Sequence, residues 1–106
     1  MISSATASGL VSEIRRIVNR QQVAAFKVGR SAYPERVAGR HGADVVYAIR
    51  EFCSVDDALA AETAAIRATF LHPKSGNVQP HAGGGVSKEH CDTLYVAVKT
   101  RKRRSR

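Results

Sequence analysis

The chain of 106 residues is long enough for one domain with a modest hydrophobic core, and 43% of its residues are hydrophobic. No apolar run approaches the roughly 18–20 residues of a membrane-spanning helix, and the N-terminus lacks the charged start and apolar stretch of a signal peptide. We therefore expect a cytoplasmic protein without a membrane partner. In that compartment Cys53 and Cys91 are expected to be free thiols, since one pair does not make a disulfide framework.

Most of the net charge of +8 lies at the C-terminus. Without the cations of residues 99–106, the count of Lys and Arg falls from 17 to 11, against 9 acidic residues. Unbroken blocks of like charge are usually disordered and often bind nucleic-acid phosphates. We therefore expect a basic tail that contacts nucleic acid, with a merely solubilising tail as the alternative. The cations of this tail are Lys99, Arg101, Lys102, Arg103, Arg104 and Arg106.

Hydrophobic periodicity predicts the order α-β-α-β-α-loop-β, a small α+β or α/β layer structure. Pro34 suits the first turn of a helix, and Ser54 suits an N-cap. One domain is expected over 8–98. The predicted elements are a flexible N-terminus at 1–7, a helix at 8–20, a strand at 23–28, a helix from 34 to about 41, a strand at 44–52, a helix at 55–70, a long loop at 74–91 and a strand at 93–98.

The segment FKVGRSAYPERVAGRH, residues 26–41, places a glycine among several cations. A glycine at the end of a strand often marks close approach by a ligand or another backbone. Cations around such a gap suit a phosphate group. We therefore predict a phosphate-binding site, although Gly29 could equally form a turn and Arg36 could be an ordinary solvated residue. The cations of the segment are Lys27, Arg30, Arg36 and Arg40.

The same segment resembles the second motif of the GIY-YIG nuclease superfamily, in its phage-type branch. The resemblance lies in Lys27-Val28-Gly29-Arg30-Ser31 followed by Pro34-Glu35-Arg36. It continues with a strand, a helix that carries Glu62, and a last strand led by Asp92 and Tyr95, so it covers 23–98. No first strand with Gly-Ile-Tyr is found. The resemblance implies an α+β fold with a small, mostly antiparallel three-stranded sheet flanked by helices.

The resemblance also implies a metal-dependent DNA endonuclease. In it Arg36 would stabilise the phosphoryl charge, Glu62 would bind a divalent ion such as Mg²⁺, and Gly29 would let the backbone approach the DNA. Lys27 replaces the tyrosine of the motif and joins Arg36 and His41 as a candidate catalytic residue. The general base could be His41, Tyr33 or Tyr47.

The remaining cations of the motif, Arg30 and Arg40, would bind nucleic acid together with the tail. Glu62 lies about 60° from the axis of its helix's apolar stripe, where it either reaches a cleft or is an ordinary boundary residue. No zinc is expected, because the histidines and Cys91 lack paired ligand spacing. The alternative to a nuclease is an inactive binding module of the same fold, or an adaptor protein of a phage or mobile element. The oligomeric state is left open.

Overall fold

Two α-helices pack on one face of a three-stranded antiparallel sheet, and a short 3₁₀ helix lies against the other face. The structure, a computed structural model, describes residues 2–37, 39, 42–77 and 91–101. This architecture confirms the prediction of a small α+β fold. The elements are α1 (Ser4–Val18), β1 (Val23–Ser31), the 3₁₀ helix (Pro34–Arg36), β2 (Val45–Phe52), α2 (Val55–Thr69) and β3 (Asp92–Thr100).

The sheet has the order β1-β3-β2, so the last strand lies in the middle. It pairs antiparallel with both neighbours. Since both of its faces are covered, β3 is buried over most of its length, which explains why Leu94 to Val98 contains no charged residue. The order of strands along the chain does not reveal this central position.

Each of the two α-helices is capped by a serine at its N-terminus. The Oγ of Ser3 accepts a hydrogen bond from the N–H of Thr6, and Ser54 does the same for Asp57. The cap at Ser3 starts α1 four residues earlier than predicted. The start predicted for α2 agrees with the structure. The residues that α1 buries follow the i, i+4, i+7, i+8 spacing of an apolar stripe; they are Leu10, Ile14, Ile17 and Val18.

The two faces of the sheet have different environments. The face covered by α1 and α2, here called the inner face, holds the main core. The opposite or outer face holds a smaller cluster in which Val37 packs on Tyr95 and Ala97. Side chains alternate between these faces along each strand, so the position of a residue in its strand decides which environment it meets.

A β-bulge interrupts this alternation in β2. Ala48 pairs with Tyr95 and Arg50 with Leu94, which leaves Ile49 as the extra residue. Tyr47, Ile49 and Phe52 all pack against the main core. An unbroken alternation along β2 would place Glu51 on the side of Tyr47 and Ile49. The bulge instead turns Glu51 to the outer face.

The C-terminal ends of β1 and β3 differ from the predicted ones. The strand β1 continues to Ser31, so Gly29 lies within the strand and not at its end. The strand β3 continues to Thr100, two residues into the predicted tail. There Asp44 accepts two hydrogen bonds on Oδ2, from the backbone N–H and the hydroxyl of Thr100 at 2.8 and 3.0 Å.

The segment 74–77 covers the free edge of β1. The backbone of Phe26 donates to Lys74 O and accepts from Gly76 N–H. The side-chain amide of Asn77 bonds both the N–H and the C=O of Val28, at 3.0 Å each. Pairing of this kind protects an edge strand from association with another chain. The remainder of the predicted loop, 78–90, lies outside the described residues.

The two cysteines form a disulfide, so the prediction of free thiols is wrong. The β2–β3 ladder ends at the pair Phe52 and Asp92. Cys53 and Cys91 are the next residues on the two strands and therefore stand opposite each other. The two cysteines are 38 residues apart, and no local sequence pattern indicates that they are in contact.

Candidate functional site

A cavity of about 220 Å³ opens on the outer face, between neighbouring ends of β1 and β3. Lys27 and Lys99 line it from the two strands. Lys27 pairs with Ala97, and Ala25 pairs with Lys99, so the two lysines are diagonal neighbours on one face. The rest of the lining is mainly small and apolar: Ala25, Phe26, Ala43, Gly76 and Ala97.

The lining favours an anion. In the described part of the chain, no acidic side chain lines the cavity. Two ammonium groups on diagonal positions repel each other, and a bound anion relieves that repulsion. Lysine presents a compact charge with three donors, which suits a phosphate oxygen. The volume is below the roughly 300–1,000 Å³ of pockets for drug-sized ligands, so the cavity suits one small group.

Gly29, two residues along β1 from Lys27, lies beneath the ring of Tyr95. The two residues are paired across β1 and β3. A Cβ at position 29 would lie 2.6 Å from Cζ of Tyr95 and closer still to its hydroxyl. The sequence predicts approach by a ligand or another backbone at Gly29, whereas in the structure a side chain of the protein itself fills the space above this residue.

Arg36 and Tyr33 form a stacked pair at the 3₁₀ helix. The guanidinium carbon of Arg36 lies 4.6 Å from the centre of the Tyr33 ring. Both residues are exposed, and Val37 anchors this turn to the outer face. A planar cation on an aromatic ring gains about 0.5–1 kcal/mol at exposed sites. The pair offers a flat, positively charged surface beside the sheet.

Arg30 lies on the opposite face from Lys27 and Gly29. Its Nε donates to Oε1 of Glu62 at 2.9 Å, and its Nη1 donates to Oδ2 of Asp92 at 2.7 Å. The three side chains are only 8%, 9% and 7% exposed. Strand alternation explains the separation, because Arg30 continues the inward series of Phe26 and Val28. We call these three residues the buried triad.

The buried triad has more negative than positive charge when all three groups are ionised. Burial raises the pKa of the Glu62 carboxyl above its ordinary value; the charge and hydrogen bond of Arg30 oppose that shift, and the charge of Asp92 adds to it. Oδ1 of Asp92 is buried and has no hydrogen-bond partner among the residues described. When all three groups of the triad are ionised, their charges are therefore not balanced within the core.

The geometry at Glu62 does not fit the magnesium ion that the GIY-YIG resemblance implies. Mg²⁺ takes six oxygen ligands and usually keeps several waters. Glu62 is nearly inaccessible, and the guanidinium of Arg30 already stands between its carboxylate and that of Asp92. A divalent ion at this position would meet the positive charge of Arg30. In this arrangement the residues hold a guanidinium where the resemblance places a metal.

The structure thus divides the predicted site residues into groups. Lys27, Gly29 and Lys99 share the outer face, and Arg36 lies on the turn beside it. Arg30 and Glu62 meet on the inner face. The N–H of Arg101 donates to Gln22 O at 2.7 Å just after β3. Outside the described residues lie His41, Arg40, Lys102, Arg103, Arg104 and Arg106.

Two further residues of interest were missed by sequence reasoning as site residues. Asp92 was noted only as the acid that leads the last strand, yet it holds Arg30. Tyr33 was considered only as a base, yet it carries the guanidinium of Arg36. The i, i+3 spacing of Tyr33 and Arg36 in a turn is the one signal that could have indicated the stacked pair.

Comparison with protein-family models, curated proteins and solved structures finds no match to this chain. The GIY-YIG resemblance therefore rests on the motif residues alone. Within the described ranges, none of the helices is long and apolar enough to span a bilayer.

Proposed function

We propose that this protein binds nucleic acid through the outer face of its sheet and the basic segment that follows β3. The observation that supports this most is the cavity between Lys27 and Lys99, which offers two cations over an apolar floor. After Lys99 and Thr100 the sequence continues with five cations in six residues. The cavity and the basic segment are therefore contiguous along the chain.

The outer face can serve the two parts of a nucleotide. The lysines suit a backbone phosphate, since electrostatic contacts of this kind supply most non-specific affinity. The Arg36–Tyr33 pair offers a flat surface on which a base can stack, as in proteins that bind single strands. Neither contact reads base identity, so the proposal is for binding with little sequence preference.

The test is a salt series of binding measurements by fluorescence anisotropy on a labelled duplex oligonucleotide. The double variant Lys27→Gln/Lys99→Gln removes the two cations of the cavity. If each contacts one phosphate, the slope of log K against log salt falls by about 0.9 per lysine, or about 1.8 for the pair. The matched control, Arg16→Gln/Arg67→Gln, removes the same charge from exposed positions on α1 and α2. Equal slopes for the two double variants would refute a role for the outer face.

A narrower form of the proposal adds hydrolysis of the phosphodiester. The observation that favours it is the exposed guanidinium of Arg36 on Tyr33, available to a phosphoryl group at the surface. Purified protein is incubated with supercoiled plasmid and Mg²⁺ or Mn²⁺, beside Arg36→Ala, Glu62→Gln and the control Arg67→Gln. Because Glu62 lies on the inner face, nicking that is lost in Arg36→Ala and kept in Glu62→Gln and Arg67→Gln supports an enzyme at the outer face. Absence of nicking, or equal nicking by all four proteins, leaves binding alone.

A further inference from the structure

A second group of chemically reactive side chains lies on the outer face, at the far end of the β2–β3 ladder from the lysines. Glu51, Cys53 and Cys91 each offer a ligand atom, and these atoms all lie within 4.8 Å of one another. Glu51 pairs with Thr93, and the two cysteines follow the last pair of the ladder. Because of the bulge before Arg50, Glu51 and Cys53 point to the same face as Cys91.

We propose that this group is a redox-controlled site for a zinc-class divalent cation, closed in the disulfide form and open in the dithiol form. A dithiol reductant transfers two electrons and two protons to the Cys53–Cys91 bond and is itself oxidised to a disulfide. The S–S bond breaks and two thiols form. The cation then displaces both thiol protons and is held by two thiolates and the Glu51 carboxylate, with a water in the fourth position.

The distances suit a tetrahedral ion after a small movement. With Zn–S of about 2.3 Å and Zn–O of about 2.0–2.2 Å, a tetrahedron places S and O about 3.5 Å apart and the two S atoms about 3.8 Å apart. The Sγ of Cys53 already lies 3.9 Å from Oε1 of Glu51. The Sγ of Cys91 lies within 4.8 Å of the ligand atom of Glu51. The separation of the two sulfurs has to grow, and each cysteine lies directly beside the end of a strand.

Access to the site is also suitable. Glu51 and Cys53 are exposed, and Cys91 is half-buried. A reductant can therefore reach the disulfide, and solvent can fill the open coordination position. Two thiolates and one carboxylate favour a borderline-soft ion such as Zn²⁺ over Mg²⁺. This site shares no residue with the lysine cavity or the buried triad, and it does not depend on the proposed nucleic-acid binding.

The experiment uses Co²⁺ as a spectroscopic probe for the zinc-class ion, because a thiolate bound to Co²⁺ gives a charge-transfer absorption band. Wild-type protein is titrated with Co²⁺ anaerobically, once reduced and once oxidised. We expect one ion per chain with this band in the reduced protein, its loss on addition of Zn²⁺, and no band in the oxidised protein. Circular dichroism is recorded on the same samples.

Variants assign the ligands. Cys53→Ser is expected to abolish the band, and Glu51→Gln to weaken Co²⁺ binding at least as much as the roughly 10–100-fold seen when an outer hydrogen-bond partner of a metal ligand is lost. Glu13→Gln, an exposed carboxylate on α1, is the matched control and should bind as the wild type does. The proposal is overturned if reduced wild type shows no band, if the ion binds one per two chains, or if Glu51→Gln and Glu13→Gln bind equally. It is also overturned if reduction abolishes the helical signal and the metal does not restore it.

Discussion

Replacing Gly29 with alanine tests the account of the outer face most directly. The new methyl group would lie 2.6 Å from Cζ of Tyr95, whereas carbon atoms pack at about 3.5–4.0 Å. The ring has to move by about 1 Å. Tyr95 is only 6% exposed and packs on Val37, so it cannot swing into solvent. The substitution therefore overpacks the small cluster of the outer face.

Two effects of opposite sign decide the result. Glycine within a strand costs roughly 0.5–1 kcal/mol relative to alanine, and relief of that cost would stabilise the variant. Overpacking a filled site typically costs about 1–3 kcal/mol. The clash is the larger effect, so we expect Gly29→Ala to destabilise the protein by roughly 0.5–2 kcal/mol. In a domain of this size, each kcal/mol lowers Tm by about 4–8 °C.

Thermal and urea unfolding measure the effect, and a double-mutant cycle assigns it. Leucine at position 95 lacks the ring atoms that Cβ would meet, so Gly29→Ala should cost much less in a Tyr95→Leu background. Gly9→Ala is the control, because a Cβ there meets nothing within 4 Å in α1. Alanine in a helix is favoured over glycine by about 0.8–1.0 kcal/mol, so the control should stabilise. A Gly29→Ala variant as stable as the wild type, or a cost left unchanged by Tyr95→Leu, would refute the clash with the tyrosine ring.

The stability of the protein should also respond to pH, to truncation of β3 and to reduction of the disulfide. Burial raises the pKa of Glu62 above 4.5 in the folded state. The stability of the wild type relative to Glu62→Gln should therefore rise as pH falls from neutral toward 4.5 and stay level below that pH. Urea unfolding across this pH range measures the difference, and a gain in stability on raising the pH would contradict the prediction. A chain ending at Arg101 should keep the wild-type Tm, whereas one ending at Val98 loses the Thr100 contacts and should melt lower; equal melting would refute a structural role for the end of β3. Reducing the disulfide should lower stability by up to about 4 kcal/mol, since it closes a loop of 38 residues, and an unchanged urea midpoint would contradict this.

The helices and the fold class could be predicted because their signals are local. The apolar stripe of α1 and the Ser54 cap are both read from neighbouring residues. The strands were found, but their ends were misjudged where a neighbouring strand continues the pairing. Gly29 stays in β1 because β3 lies beside it and pairs with it. That partner is more than sixty residues away, so the sequence around Gly29 could not indicate it.

One of the two contacts in the buried triad could have been predicted from the sequence. Arg30 is 32 residues from Glu62 and 62 residues from Asp92. Had β1 been extended by two residues, alternation would have placed Arg30 on the inner face with Phe26 and Val28. A buried arginine needs carboxylate partners, and Glu62 on the flank of its helix was a natural choice. The second partner depends on the central position of β3, which no local pattern carries.

The bulge in β2 is a feature that the alternation of the sequence does not predict. One residue more or less in a strand moves every later side chain to the other face. Without the bulge at Ile49, Glu51 would point into the core and Phe52 out of it. The alternation Tyr47, Ile49, Glu51 in the sequence gives no reason to expect the change. The packing of the half-buried Phe52 against the main core supplies the reason, because an outward-facing phenylalanine would leave more of its apolar surface in water.

The division of cations between the faces determines which of them can act on a ligand. Arg30 belongs to the motif that resembles a nuclease, but its side chain is buried and forms ion pairs with two carboxylates of the protein. Lys27 is three residues away on the same strand, yet alternation sends it to the outer face and to the cavity it shares with Lys99. A motif of cations in one short segment is therefore two structural features. The buried one holds the helix layer to the sheet, and the one on the outer face lines the cavity for which we propose phosphate binding.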